Sequence, residues 1–321
     1  MESTRRSQLM RDRSAAWLRR HPALVPVAAD LADRVGATAL SDHILSVTVD
    51  AAVGRLPRPG RRRTARLVMH RVAGRDQSVL ELHADWTAFE APMPAVFWEL
   101  CCQLPGHVVD VGANTGIYAL IALLSQPDRE VTAFEPVPAI RRLLTANIAL
   151  GGYRKRARIR GEAVGAETGT ATLFVPPSAP GDYVETSASL SADFKGIAGE
   201  AIEVPVTTLD AWWVAAGRPP VAVVKIDVES REYDVLRGAD ALVAAQQPVL
   251  FYELLPQGDA EGIGAWADDR DLVDIRLRPD RAVVGGVPAF DPDAWNHLLV
   301  PRSRLGMIEV VLRRCGLAVS D

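Results

Sequence analysis

Four short stretches carry residues whose types and spacing suit chemistry on a bound nucleoside. In HVVDVGANTGIYAL (107–120) an apolar run reaches Asp110, passes through Gly112, Asn114 and Gly116, and continues as an apolar segment of helical character. Glu135 follows nineteen residues after Gly116, at the end of the run EVTAF (130–134). Lys225, Asp227 and Glu229 lie at and just past the end of VAVVKID (221–227), and Glu253 stands at the end of PVLFYEL (248–254). Glycines at a strand-to-helix turn let the backbone bend tightly and come close to a ligand. An acid closing the next strand can accept both hydrogen bonds of a ribose diol. Lys225 sits two residues before Asp227, hence on the same side of the strand, where a cation pairs with a carboxylate and keeps it ionised.

The glycine spacing selects among nucleosides. A dinucleotide site wants G-x-G-x-x-G, whose second glycine lets backbone reach the pyrophosphate. Counted from Gly112, Asn114 occupies that second place and Ile117 the third. The G-x-x-x-G spacing suits a ligand without a phosphate bridge, and S-adenosylmethionine is the expected cofactor, its amino-acid tail against this loop. A nicotinamide-dependent oxidoreductase is the alternative from another enzyme class, opposed by Asn114, by Ile117 and by the lack of a Tyr-x-x-x-Lys pair. A non-catalytic module that kept the fold is a third reading, opposed by the presence of Asp227 and Glu229. No G-x-S-x-G elbow is present, which disfavours a hydrolase.

These residues need an open parallel sheet to bring them together, and from residue 105 onward strands alternate with helices in the way such a sheet requires. Strands are expected at 107–111, 130–134, 157–164, 171–175, 221–227, 248–254, 272–277 and 306–314, with helices over 117–125, 138–150 and 230–245. Upstream, residues 1–60 read as short helices broken by prolines, LPRPGRRR (56–63) as a boundary, 65–72 and 78–84 as strands, and 94–104 as an apolar helix. Residues 1–75 are thus expected to form an N-terminal helical and β extension, which caps the site, pairs two copies in a homodimer or docks a carrier, and 76–321 the main domain. The stretch 176–200, rich in Pro, Gly, Ser and Ala, reads as a functional loop. Its Tyr183, Phe194, Ser187 and Ser189, with Trp86 and Phe89 upstream, are candidates to shape an acceptor pocket. Trp212 and Trp213 read as core.

Composition narrows the class. Of 321 residues, 48% are hydrophobic and 24% charged, the profile of a globular protein rather than a disordered or collagen-like one. No apolar run is long enough to span a bilayer, and the N-terminus lacks the apolar core of a secretory signal. Cys101, Cys102 and Cys315 have neither a disulfide framework nor zinc-ligand spacing, so a reducing cytoplasm is expected. Net charge is −4, yet residues 1–75 hold 15 Arg against 6 acids. That imbalance reads as a solvated helical face and an arginine-rich turn rather than as a nucleic-acid site. Lysine occurs only as Lys155, Lys195 and Lys225, against 33 Arg.

VVDVGANTGIYAL (108–120), FEPVP (134–138) and VVKIDVESREYDVLRGA (223–239) with PVLFYEL (248–254) together resemble the FkbM family of S-adenosylmethionine-dependent methyltransferases, over roughly residues 78–302. The late N-x-x-x-V-P at Asn296 to Pro301 also resembles family C-termini, and Ser230 stands where the family usually has glycine. The resemblance implies a class I methyltransferase fold, an α/β Rossmann-like sheet of seven strands with the last antiparallel. It implies O-methylation of a hydroxyl on a sugar, a glycolipid or a polyketide-type natural product. By residue, it implies that Asp110, Gly112, Asn114 and Gly116 line the methionine part of the cofactor, that Glu135 takes the ribose hydroxyls, that Glu162 and Ala163 read the adenine edge, and that Asp227 faces the transferring methyl.

Methyl transfer to oxygen needs alignment and a proton acceptor. In one reading Asp227 or Glu229 is that base or orients the hydroxyl, with Lys225 beside it. In another, Asp227, Glu229 and Glu253 hold a hard divalent ion, although no ligand-spaced histidine accompanies them. In a third, Glu229 and Glu232 cap the following helix and Lys225–Asp227 is a buried ion pair. Among the histidines, His107 starts a strand at the end away from the cofactor and reads as structural. His83, close to Asp85 and Trp86, and His297, beside Asn296, also read as structural rather than catalytic.

Overall fold

A computed structural model describes residues 51–57, 64–70, 90–175 and 200–320, with single positions 24, 28, 31 and 32. Strand β1 (Ala51–Pro57) pairs antiparallel with β2 (Thr64–His70), so the two strands bracket the segment read as a boundary. Leu67 and Met69 of β2 are buried in the main core. Helix α1 (Met93–Gln103) buries Val96, Phe97, Leu100 and Cys101. There follow β3 (His107–Val111), α2 (Ile117–Ser125), β4 (Val131–Phe134), α3 (Pro138–Leu150) and β5 (Ala157–Arg160). Strands β6 (Ala163–Val164), β7 (Gly169–Val175) and β8 (Glu200–Thr207) make a small separate sheet in the order β6-β8-β7. The chain continues through α4 (Leu209–Ala215), β9 (Val221–Ile226), α5 (Glu232–Arg237), α6 (Asp240–Gln246) and β10 (Val249–Glu253). It ends with α7 (Ala260–Asp268), β11 (Leu272–Leu277), β12 (Arg281–Val284), β13 (Asn296–Pro301), α8 (Leu305–Arg314) and β14 (Ala318–Ser320).

The main sheet has the order β14-β12-β11-β13-β10-β9-β3-β4-β5. Seven of its strands, β11 to β5 in that order, form the expected class I methyltransferase sheet. β13, the last of them in the chain, runs antiparallel to both neighbours. β12 and β14 extend the sheet beyond it. Strands β3 and β9 are buried on both faces, which is why VVDV and VAVVKI are almost wholly apolar. From β3 the order runs one way through β4 and β5, and from β9 the other way through β10. The β3/β9 boundary is therefore the topological switch point, outside whose carboxyl ends such sheets bind ligands.

Four elements differ from the sequence reading. Residues 51–57, read within a stretch of short helices, form strand β1, held by its antiparallel pairing with β2. The strand expected at 306–314 is helix α8, which buries Ile308, Val311 and Leu312 at helical spacing, and the seventh strand is β13 instead. The helix expected over 230–245 is two helices, α5 and α6, separated at Gly238. A Cβ on that glycine would stand 2.2 Å from the carbonyl oxygen of Gly165, so backbone from a distant segment crosses there. The strand expected at 157–164 divides after Arg160, and its second half joins β8 in the small sheet. The expected strand at 78–84, the loop 176–199, His21, His43, His83, Trp86 and Phe89 lie outside the described residues.

Candidate active site

The loop between β3 and α2 is shaped by contacts that exclude side chains. Gly112 has φ +74°, and a Cβ built on it would lie 1.8 Å from the carbonyl oxygen of Asp227. Backbone meets backbone there, locking the turn after β3 to the end of β9. Asn114 adopts φ 51° and Gly116 φ 97°, so the loop turns through three left-handed residues before the helix begins. The amide N–H of Gly112 and that of Ala113 both donate to the Phe134 carbonyl, at 3.1 and 2.9 Å, which ties the loop to the end of β4 as well. The result is a narrow backbone cradle at the switch point.

Glu135 closes this cradle. Its Oε2 accepts from the Asn114 N–H at 3.0 Å and its Oε1 from the Val137 N–H at 2.8 Å. The carboxylate is therefore aimed at the loop, 5% exposed, with lone pairs left on each oxygen. Burial pushes its pKa up to about 7, against the pull of those two N–H groups and Arg141. The Glu135 N–H donates to the Arg160 carbonyl at 3.0 Å, so the end of β5 adjoins it. Glu162, two residues on, is ion-paired with Arg160, and Ala163 starts β6. The structure thus gathers Asp110, Gly112, Asn114, Gly116, Glu135, Glu162 and Ala163 along one rim of the sheet.

Beneath the loop lies a buried charge cluster. Lys225 Nζ donates to Asp227 Oδ2 at 2.7 Å and stands 4.7 Å from the centre of the Tyr118 ring, a cation–π contact. Burial alone would lower the Lys225 pKa, but Asp227, Asp110 and Glu90 outweigh it and hold the ammonium above its ordinary value. Asp110 is paired with Lys225 across β3 and β9, is fully buried, and neither of its oxygens makes a good hydrogen bond among the described residues. Burial raises it to about 6, offset by Lys225 and reinforced by Asp227. Tyr118 donates its hydroxyl to Glu90. Neither Tyr118 nor Glu90 was singled out from the sequence, since 28 residues separate them. The aromatic in the first turn after Gly116 was the available signal.

Just past β9, Glu229 and Ser230 are both left-handed, at φ 53° and 74°. Glu232 Oε1 accepts from the Val228 N–H at 3.0 Å, so this acid does tie down the turn before α5, while burial raises it to about 7. Burial, with Asp227, Glu229 and Glu232 nearby, pushes Glu253 well above the carboxylate range despite Lys225. Among the described residues no group of three or more His, Cys, Asp or Glu side chains is arranged to hold a metal ion, so the divalent reading finds no ligand set there. The Ser230 hydroxyl is buried without a partner among the described residues. A non-glycine residue in left-handed backbone costs about 1–2 kcal/mol, and an unpaired buried hydroxyl adds to it. Ser230→Gly is accordingly expected to stabilise the chain by about 1 kcal/mol after the extra chain entropy of glycine, read as a higher denaturation midpoint with an unchanged slope.

Four residues read as structural lie in the interior. His107 Nε2 contacts Thr132 Oγ1 at 2.9 Å, and burial, then Arg129 and Arg158, lower its pKa to about 4. His297 is buried with Nδ1 3.1 Å from Asp274. Trp212 and Trp213 are core residues. No helix among the described residues is long and apolar enough to cross a membrane.

The sequence pattern described as "Methyltransferase FkbM domain" matches residues 110–283, more than half of the chain. The 31-O-demethyl-FK506 methyltransferase FkbM of Streptomyces tacrolimicus is 33% identical over 159 residues, covering 42% of this chain and 60% of that protein. The methyltransferase sdnD of Sordaria araneosa is 25% identical over 172 residues, covering 45% of this chain and 66% of that protein. The chain thus spans roughly three-fifths to two-thirds of the length of these two relatives. A crystal structure of the methyltransferase FkbM from Methylobacillus flagellatus KT overlaps at a TM-score of 0.40 with 15% identity, covering 70% of this chain and 54% of that one. That overlap is partial, and the strand order described above carries the fold.

Proposed function

The chain belongs to the FkbM methyltransferase family, and from that premise we propose that it transfers a methyl group from S-adenosylmethionine to a hydroxyl of a small molecule, a sugar, a glycolipid or a polyketide-type natural product. The Streptomyces tacrolimicus relative's name points to an oxygen as its acceptor, and that chemistry is carried over here. What most supports the reading is the convergence at one switch point of a glycine turn locked against the Asp227 backbone, a buried carboxylate at Glu135 held toward that turn and an ion-paired acid at Asp227. These residues fit S-adenosylmethionine: the glycine turn leaves backbone exposed to a ligand, and the buried Asp110 carboxylate beneath it makes no good hydrogen bond among the described residues. When bound, the cofactor supplies a methyl on a positively charged sulfur, which an oxygen nucleophile displaces in line.

The chain's own contribution is binding, alignment and proton removal. Asp110, Gly112, Asn114 and Gly116 would line the methionine portion. Glu135, pre-set by the Asn114 and Val137 N–H groups, would accept the ribose hydroxyls. Glu162 and Ala163, beyond β5, would read the adenine edge. Asp227 would accept the hydroxyl proton, or Glu229 beside it, and Lys225 holds Asp227 in place from the buried side. Residues 1–75 would cap the acceptor side or pair two copies of the chain.

Calorimetry with S-adenosylmethionine and with NAD tests the cofactor. Micromolar binding of the first and none of the second is expected, and the reverse preference defeats the proposal. With a hydroxylated acceptor found by screening, Asp227→Asn is expected to lower kcat by about 100- to 10,000-fold and to change cofactor affinity only a few-fold. Equal kcat removes Asp227 from the mechanism.

A further inference from the structure

Lys225 is a buried cation with two carboxylates to choose between, and the structure pairs it with the more exposed one. Asp110 of β3 and Lys225 of β9 are direct partners in adjacent parallel strands, so their side chains share a face. Asp110 is fully buried, and neither of its oxygens makes a good hydrogen bond among the described residues. Lys225 Nζ nevertheless donates to Oδ2 of Asp227, two residues further on and 35% exposed, at 2.7 Å. Coulomb attraction is least screened away from water, which favours the deeper acid. A further contact must hold the ammonium toward the rim.

Tyr118 supplies it. The centre of its ring lies 4.7 Å from Lys225 Nζ, and both residues are buried. The face of an aromatic ring attracts an ammonium, more strongly when both are out of water. The ring itself has little freedom. Phe97 of α1 meets it edge-on, with centroids 5.1 Å apart and planes at 82°. Phe97 packs in turn on Phe251, the β10 residue opposite Lys225. At the far end the Tyr118 hydroxyl donates to Glu90. Glu90 is anchored as well, since its carbonyl accepts the Met93 N–H at 3.0 Å where α1 begins. Its backbone is left-handed, at φ 45°, a conformation that persists in a non-glycine residue only where the surroundings fix it. An O–H given to a carboxylate also pushes electron density into the ring, which deepens its attraction for a cation.

We propose that Tyr118, fixed by Glu90 and Phe97, is a positioning residue that commits Lys225 to Asp227 rather than to Asp110. The roles this separates rest on the methyl-transfer reading above. Asp227 is held in one orientation at the rim, and Asp110 keeps its charge for the positively charged methionine portion of the cofactor. Without the ring, Lys225 falls back on its cross-strand neighbour. Asp227 then swings free, and Asp110 is neutralised before the cofactor arrives.

The experiment uses the full, ligand-free chain with its lysines labelled with carbon-13 at Cε. The sequence holds only Lys155, Lys195 and Lys225, so the NMR spectrum is simple, and Lys225→Arg identifies the signal of interest. That signal is expected upfield, shifted by the Tyr118 ring. In the natural chain Asp227→Asn is expected to move it more than Asp110→Asn does. In Tyr118→Leu the upfield shift is expected to vanish and the order of the two asparagine effects to reverse. Tyr118→Leu is also expected to weaken S-adenosylmethionine binding about tenfold by calorimetry, the scale of one desolvated cation–π contact. Tyr118→Phe keeps the ring face and loses the bond to Glu90, so it should fall between the two on both readouts. Thermal unfolding reports whether each variant is folded, and if the leucine variant is not, the phenylalanine variant decides. An unchanged order of the asparagine effects in Tyr118→Leu, an unchanged gap between them in Tyr118→Phe, or a phenylalanine variant as impaired as the leucine one overturns the proposal. Failure of the unaltered chain to bind S-adenosylmethionine overturns the preceding functional reading instead, since the spectra are read without ligand.

Discussion

Glu135→Gln is expected to weaken S-adenosylmethionine binding by about 100-fold while making the ligand-free protein more stable at pH 8. The first effect follows from charge. Each hydrogen bond to a charged carboxylate is worth about 1.5–3 kcal/mol, and a neutral amide forfeits that assistance at both ribose hydroxyls. The second effect follows from burial, which raises Glu135 to about 7 in the folded chain. The folded protein then holds a proton that the unfolded chain gives up near pH 4.5. Stability attached to this group is full below pH 4.5 and is lost as the pH rises towards 7, so the ionised carboxylate costs the empty protein of order 1–3 kcal/mol at pH 8. Glutamine removes that cost. Binding that requires the ionised form should also weaken about tenfold between pH 8 and pH 6 in the natural chain, and the glutamine variant should lack most of that slope. Calorimetry and thermal unfolding across this range measure both. A variant that binds as tightly as the natural chain would take Glu135 out of the site.

Gly112→Ala is expected to cost about 3 kcal/mol or more and to abolish cofactor binding. The left-handed backbone accounts for about 1 kcal/mol of this, and the rest comes from a methyl placed 1.8 Å from the Asp227 carbonyl oxygen. Neither side can yield without moving backbone. Gly112 is tied to Phe134 at 3.1 Å, and the Asp227 N–H to the Val111 carbonyl at 3.1 Å. Gly152→Ala is the matched comparison, since Gly152 has φ +78° and nothing within 4 Å of the added carbon. It should lose about 1 kcal/mol, the backbone share alone, and bind S-adenosylmethionine normally. Thermal unfolding of the two variants side by side, with calorimetry, separates strain from collision. Similar losses in both would mean that the approach of Asp227 is unimportant.

The parts of this molecule that could be read from the chain are those governed by local pattern. Strand β3, its glycine loop and α2 stand where the apolar run, the glycine spacing and the helical segment put them, as do β4, α3, β9 and β10. The errors came from contacts between distant segments. The run Glu309–Val310–Val311 resembles a strand, but only Val311 of the three is buried with Ile308 and Leu312, and that spacing is helical. The break at Gly238 depends on Gly165, more than seventy residues earlier, and leaves no mark on the local pattern. Of the site, the residues on the family's motifs were legible by type. Their interplay was not: the support of Lys225 by Tyr118, the Tyr118–Glu90 bond and the pairing of Glu253 with Asn296 exist only once strand register is known. Asn296 was legible as part of a motif, but its place beside Glu253 was not.

The meeting of Gly112 with Asp227 also bears on how the chain acquires its pocket. More than a hundred residues lie between them, so this is a contact of high sequence separation, the kind that closes late and slows folding. During synthesis the segment bearing the glycine turn leaves the ribosome well before its partner exists. A nascent chain ending before β9 would hold half a cradle with no wall, and ligand affinity would switch on only after the crossover through β6, β7 and β8 has been threaded into place.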